Sequence, residues 1–351
     1  MLEIQIEQRS RDINASNTEQ ESTQKEFGQV YFNTEQAIQD FEKEAGSEVN
    51  LAFPQVDPQI SHYLKHANVL VKHDEYGLAM NLLRQASNKD SKNPEVLSLI
   101  AHCLEKQSRL NESLIARKAL VAVDYGFENL YHYGTTLYKL GRDQEALESY
   151  YEALSVITEE NSALFELYKN MGNIFVRQGD FDGAEEFYNK AYTVNSQSDV
   201  LLVNYGTLEV QRSDYDKSLY CFRKAVDVNP TNDKAWVGLA MVHNEFGDIE
   251  LAWANIESAL DINPTNRTAV HLAANWGLRD SKVEKAIEYL QQYLASVEQD
   301  EDMSLVLINL FCSIGHLDKA LLEMERVLLW NPDHNEVRQL KKKILRSQRA
   351  A

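Results

Sequence analysis

Residues 228–232 read VNPTN and residues 262–266 read INPTN, every position offset by 34, and a third relative, WNPDH at 330–334, lies two periods further on. Proline lacks the amide hydrogen that a continuing helix needs and pushes its predecessor out of the helical region, so each copy reads as a helix stop. A chain that repeats its stops at a fixed interval also repeats what lies between them. Periods of this size belong to units that cannot bury their own apolar faces and must stack on a neighbour.

The register extends far beyond the pentapeptides. With units of 34 beginning at Ile60, Pro94, Phe127, Phe165, Asp199, Asp233, Arg267 and Glu301, the eighth position is Ala67, Ala101, Gly134, Gly172, Gly206, Ala240, Ala274 and Ile308. Small residues also recur at position 20 (Ala146, Ala184, Ser218, Ala252) and position 27 (Ala153, Ala191, Ala225, Ala259), where two helices have to approach closely. Between them QGDFDGA (178–184), RSDYDKS (212–218) and FGDIELA (246–252) place Gly or Ser at position 15 and Asp at 16, which ends one helix and caps the next. Each unit therefore codes a hairpin, with helix A over positions 2–14 and helix B over 18–31. Four residues, NSAL at 161–164, interrupt the register between the third and fourth units.

Trp236, Leu239, Ala240, Ala252, Ile256, Ala259 and Pro264 nearly spell the signature of the tetratricopeptide repeat, and residues 60–334 resemble that family in eight units. The resemblance implies an all-α, right-handed α-solenoid. Residues 335–351, with Val337, Leu340 and Ile344 on one face, are expected to form a basic capping helix. Residues 1–59 carry twelve acidic and four basic side chains, and are expected to be an acidic, partly disordered segment with one amphipathic stretch starting near Asn33. That stretch could pack on the first unit, bind a partner or enter the protein's own groove.

Composition narrows the function classes. The 351 residues are 44% hydrophobic with 14 glycines, too few for a doubly wound α/β enzyme. Three cysteines without a CxxC pair argue against a disulfide framework or a zinc site and for a reducing compartment. No apolar run reaches the length of a membrane span, and the start of the chain is too charged for a signal peptide, so the expected location is cytoplasmic. A net charge of −19 disfavours nucleic acid. His62 and His66 have a metal-compatible spacing but no supporting acid or thiol cluster. With no phosphate loop, HExxH or nucleophile elbow, neither catalysis nor a cofactor is expected.

By the resemblance, positions 2, 5, 9, 12 and 13 line a concave groove. Relatives that hold the C-terminal carboxylate of heat-shock chaperones use Lys and Asn at positions that here give Lys169, Asn173, Asn204 and Lys234, while the expected arginine is Gly238. Val200, Val203, Val210, Val237 and Met241 are apolar at positions expected to face solvent, the pattern of an interface. Tyr131, Tyr138, Lys139 and Arg177 complete the candidate peptide-binding residues. The expected function is a non-catalytic scaffold or adaptor that binds a peptide or helix of a partner protein; the competing expectation is a secretion or assembly chaperone that shields an apolar segment of one client.

Overall fold

A computed structural model of the chain describes residues 58–157, 162–297 and 299–350. Among the described residues there are seventeen helices and no strand. The expected amphipathic stretch near Asn33 lies outside them. Backbone contacts divide the chain into two compact units, Met1–Ala163 and Leu164–Ala351, with the division at the interruption in the repeat register.

In the first unit the helices are α1 (Pro58–Lys72), α2 (Tyr76–Ser87), α3 (Pro94–Lys106), α4 (Leu110–Val123), α5 (Phe127–Lys139) and α6 (Asp143–Val156). The second holds α7 (Ala163–Gln178), α8 (Phe181–Val194), α9 (Asp199–Gln211), α10 (Tyr215–Val228), α11 (Asp233–Glu245), α12 (Ile249–Ile262), α13 (Arg267–Arg279), α14 (Val283–Ser296), α15 (Glu301–Ser313), α16 (Leu317–Trp330) and α17 (Asn335–Ala350). Neighbouring helices pack as hairpins, α3 on α4 and α5 on α6 in the first unit, α9 on α10 and α11 on α12 in the second.

One backbone device makes every hairpin turn. Asp74, Ser108, Gly141, Gly179, Ser213, Gly247, Ser281 and Gly315 all have φ between 58° and 80°. Each is followed by a residue whose N–H reaches the carbonyl five residues back, as in Asp180 to Phe175, Asp214 to Glu209 and Asp248 to His243. This is the bond of a left-handed helix terminus, which satisfies carbonyls that the helix itself leaves open. Position 15 is thus defined by its left-handed backbone, and glycine is only its cheapest occupant.

The glycines at position 8 let a ring in. A methyl group added at Gly134 would overlap the Tyr150 ring, one at Gly172 the Tyr188 ring, and one at Gly206 the Phe222 ring. All three rings stand at position 24 and are buried. Burying an aromatic side chain of this size contributes about 1.5–3 kcal/mol, so the close approach of the two helices is the main return from each hairpin.

The proline pentapeptides do more than stop helices. Asn229 and Asn232 donate to the same oxygen, Oδ2 of Asp199, at 2.6 and 2.9 Å, while Asn232 Oδ1 also accepts the Ala235 N–H and so caps α11. Asn263 and Asn266 repeat the arrangement on Asp233 Oδ2 at 2.7 and 2.8 Å, and Asn266 caps α13. Each of these two pentapeptides thereby ties the end of its unit back to the start of helix A of the same unit and, through its last asparagine, caps the helix A that follows.

At the C-terminal end Val337 and Ile344 of α17 are buried in the core cluster that begins in α11, and Leu340 packs against it. The face expected of a capping helix is the face that packs.

Candidate protein-binding groove

Three of the candidate residues lie in the first unit. Tyr131 stacks on Phe127 with ring centroids 6.2 Å apart, half-buried rather than displayed, and Tyr138 is likewise half-buried. Lys139 lies 3.4 Å from Glu105 Oε2. That carboxylate is the centre of a network: Glu105 Oε1 also accepts from Thr136 Oγ1 at 2.9 Å and from Arg117 Nε at 3.3 Å. Arg117 is only 4% exposed and occupies position 24, the place held by Tyr150, Tyr188 and Phe222 in later units. Burial alone pushes the Glu105 carboxyl up, but Arg117, Lys139 and the Thr136 hydroxyl outweigh it and hold it below the usual carboxylate range. Sequence reading missed Arg117, although a charge at an aromatic repeat position was a visible signal.

The remaining candidates lie in the second unit. Lys169 is 14% exposed, bonded to Glu166 on its own helix at 2.5 Å and set over the Phe165 ring. Asn173 Oδ1 accepts from Tyr188 Oη at 2.7 Å and from Asn204 Nδ2 at 2.8 Å. Three of the four groups expected to converge on a carboxylate are therefore engaged with their own neighbours. Arg177 is exposed at the end of α7.

Gly238 explains the missing arginine. A methyl there would meet the Phe222 ring from the opposite side to Gly206, so the ring is held between a glycine of α9 and a glycine of α11. An arginine has no room at that position. One expectation is corrected here: Val237 does not face solvent but is 5% exposed, joined to the core with Ala240 of its own helix and Ala269 and Ala273 of α13. Val203 and Val210 are half-buried, whereas Val200 and Met241 are exposed as expected.

What these helices leave open is a pocket of about 490 Å³ between α9, α11 and the start of α13. Phe222, Val203, Val210, Val237 and Met241 form its apolar wall, and Asn204, Thr207 and Lys234 its polar edge. A second pocket of about 210 Å³ adjoins it through Val210 and Met241, and is lined further by Tyr215, Leu272 and Trp276. Tyr215 and Trp276 escaped the sequence reading because they stand at positions 17 and 10, outside the five positions taken to line the groove.

The charged groups at the rim differ in availability. Asp233 is occupied by Asn263 and Asn266, and Arg267 is bonded to Asp300 at 2.8 Å and to Asp302 at 2.9 Å. Lys234 is exposed and makes no ion pair among the described residues. Such a surface, apolar with a few polar groups, has the ordinary makeup of a ligand-binding recess. Among the described residues no cluster of three or more His, Cys, Asp or Glu could hold a metal, and no helix is long and apolar enough to cross a membrane.

Stacked helical hairpins bearing an open groove define a helical-repeat protein. The chain belongs to the tetratricopeptide repeat family, whose models match residues 127–197, 206–267 and 278–344, together more than half of its length. Among solved structures it is similar to a tetratricopeptide repeat protein from Parabacteroides merdae (TM-score 0.59, 20% identity, covering 72% of this chain and 98% of that one). It is also similar to a chain in the APC/C hetero-tetramer Cut9–Hcn1 (TM-score 0.55, 15% identity, 71% of this chain but 48% of that one), so it spans about half the length of that relative. A third is pilF of Pseudomonas aeruginosa (TM-score 0.51, 15% identity, 62% and 97%). No curated protein sequence matches the chain significantly.

Proposed function

We propose that the protein is a non-catalytic interaction scaffold or adaptor that binds a segment of a partner protein in the groove formed by α9, α11 and α13. The observation that carries this reading is the pair of adjoining pockets whose shared wall, Val210 and Met241, is apolar in a place open to a ligand. Its floor is preformed: Phe222 is fixed between two glycines, so little ordering accompanies binding. The net charge of −19 favours a protein partner over a nucleic acid.

A carboxylate held by Lys169, Asn173, Asn204 and Lys234 together is not favoured, because Lys169 is paired with Glu166 and Asn204 donates to Asn173. The apolar wall also supports the second reading, a chaperone that shields an apolar segment of one client. The two separate by salt: affinity carried by the wall alone persists at high ionic strength, while affinity that needs Lys234 weakens.

The test is site-directed photo-crosslinking of the full chain in its own cell, with the photoreactive side chain at Met241 in the groove or at Tyr220, which is exposed on α10. Partner adducts from Met241 and not from Tyr220 are expected. Adducts confined to Tyr220 would move the binding surface to the outer helices and overturn the groove reading.

A further inference from the structure

Lys234 and Glu245 stand at opposite ends of α11, and each lines a different one of the two pockets. Both are exposed, and neither makes an ion pair or hydrogen bond among the described residues. At about 1.5 Å per residue of helix they are roughly 16 Å apart along the groove. Asp233 keeps its negative charge but turns it to the side-chain amides of Asn263 and Asn266, and Arg267 is paired with Asp300 and Asp302, so Lys234 and Glu245 are the charged groups lining the two pockets that are left without a partner. Between the two free charges lie Val210 and Met241, which belong to both pockets.

The two pockets therefore offer an unpartnered ammonium at one end and an unpartnered carboxylate at the other, with an apolar ridge and a recess on each side between them. A bound segment gains by opposing both charges at once, and a segment with the same charge at each end is repelled at one of them. An extended chain advances about 3.3 Å per residue and turns every second side chain to the same face. Groups that face both ends of the groove, with two more groove-facing positions between them, are therefore about six residues, roughly 20 Å, apart, and the long side chains at each end close the difference.

Resting on the reading of this groove as the binding surface, we infer that its ligand is an extended segment carrying one acidic and one basic side chain about six residues apart, with two aliphatic side chains on the same face between them. The acid faces Lys234 and the base faces Glu245. The aliphatic pair sits in the two recesses on either side of the Val210–Met241 ridge.

The experiment uses the full chain and fluorescein-labelled synthetic peptides read by anisotropy at low salt. The reference peptide contains Asp-Ser-Leu-Ser-Leu-Ser-Lys, which puts both Leu and both charges on one face, and three relatives have Asp at both ends, Lys at both ends, or Ser in place of both Leu. The reference is expected to bind about threefold more tightly than either like-charged peptide, the size of an exposed charge pair. The Lys234→Glu variant should come to prefer the peptide with two Lys, and Glu245→Lys the peptide with two Asp. Both residues are exposed, so these variants should keep the parent's circular dichroism.

The outcomes separate the two ideas. Equal binding of all three Leu-containing peptides, unmoved by either charge reversal, overturns the polarity while leaving the groove in place. Indifference to the Leu→Ser change, or no binding by any peptide, overturns the groove reading itself. A preference that switches sign with each charge reversal and fades at 0.5 M salt, with leucine dependence intact, supports the inference.

Discussion

The Asn229 side-chain amide donates to Asp199 Oδ2 at 2.6 Å across 30 residues of sequence, so the first asparagine of VNPTN grips the first residue of the unit it closes. Asn232 grips the same oxygen, which makes Asp199 the common acceptor of a seam. Replacing Asp199 with Ala leaves two amides without their acceptor. Loss of about 1–3 kcal/mol is expected, the ordinary cost of such orphaned donors, read from urea unfolding by circular dichroism. Asp233→Ala should do the same one unit later, for the same reason. Burial pushes the Asp199 carboxyl up, but the amide bonds from Asn229 and Asn232 outweigh it and hold it below the usual range. Its contribution is therefore present above the unfolded value near 4 and lost as pH falls through the lower folded value. An Asp199→Asn variant should lose less stability than wild type between pH 5 and pH 3.

The next seam inverts the charge. Arg267 occupies the place of Asp199 and Asp233, and Asp300 the place of Asn232 and Asn266, joined at 2.8 Å. The Arg267 guanidinium, against some burial and with help from the Tyr293 hydroxyl, holds the Asp300 carboxyl down at about 2. An Arg267→Asp single variant sets two carboxylates together and should unfold at a clearly lower temperature. The Arg267→Asp, Asp300→Asn double variant rebuilds the Asp–Asn pairing of the previous seams and should recover most of the loss. Failure of the double variant to recover would show that the seam geometry differs between units. The Asp300 contribution of the wild type is fully present above pH 4 and declines as pH falls towards 2.

Gly238→Arg restores the arginine that the carboxylate pattern calls for, yet the Phe222 ring already occupies the space. Overpacking of this kind typically costs about 1–3 kcal/mol, more when a charged side chain is forced in. The variant is expected to melt lower and to gain no affinity for a peptide ending in Asp. Tight binding of such a peptide with an unchanged melting temperature would mean that the ring can move aside.

The hairpins were legible because their signals are local and repeated. Small residues at positions 8 and 20, the Gly or Ser at 15 and, in three units, the proline at 32 each act within one unit, so successive copies reinforce one reading. The groove was less legible because it depends on contacts between units. Gly238 looked like the loss of an arginine until Phe222, from the preceding hairpin, appeared against it. Val237 looked solvent-facing because position 5 usually is, but it joins the core cluster that α11 shares with α12 and α13. Lys169 and Asn173 carried the right residue types, but the short-range partners Glu166, Tyr188 and Asn204 had equal claim on them.

Four of the eight hairpin turns place a residue other than glycine at φ near 60°: Asp74, Ser108, Ser213 and Ser281. The left-handed region costs an L-residue roughly 1–2 kcal/mol, offset in glycine by about 0.5–1 kcal/mol of extra unfolded-state freedom. Ser213→Gly should therefore stabilise by about 0.5–1 kcal/mol, with Ser281→Gly similar. The reverse change, Gly179→Ala, should destabilise by at least as much. Thermal melts of the three variants decide it, and a destabilised Ser213→Gly would show that the serine side chain holds the turn.

The buried Glu105–Arg117 pair tests why one unit uses charge where the others use an apolar or aromatic side chain. Removing one partner leaves the other charge with only 4% of the arginine exposed to water, so Glu105→Ala should cost about 3–5 kcal/mol. Removing both charges is a different change. Arg117 takes the place that Leu83, Ile256 and Leu290 fill in other units, and the Glu105→Gln, Arg117→Leu double variant restores that apolar packing. It should therefore be close to wild type or more stable, because the desolvation of two ions is no longer required. If the double variant were as unstable as Glu105→Ala, the pair would be holding α3, α4 and α5 in register through Thr136 and Lys139, which bond the same carboxylate.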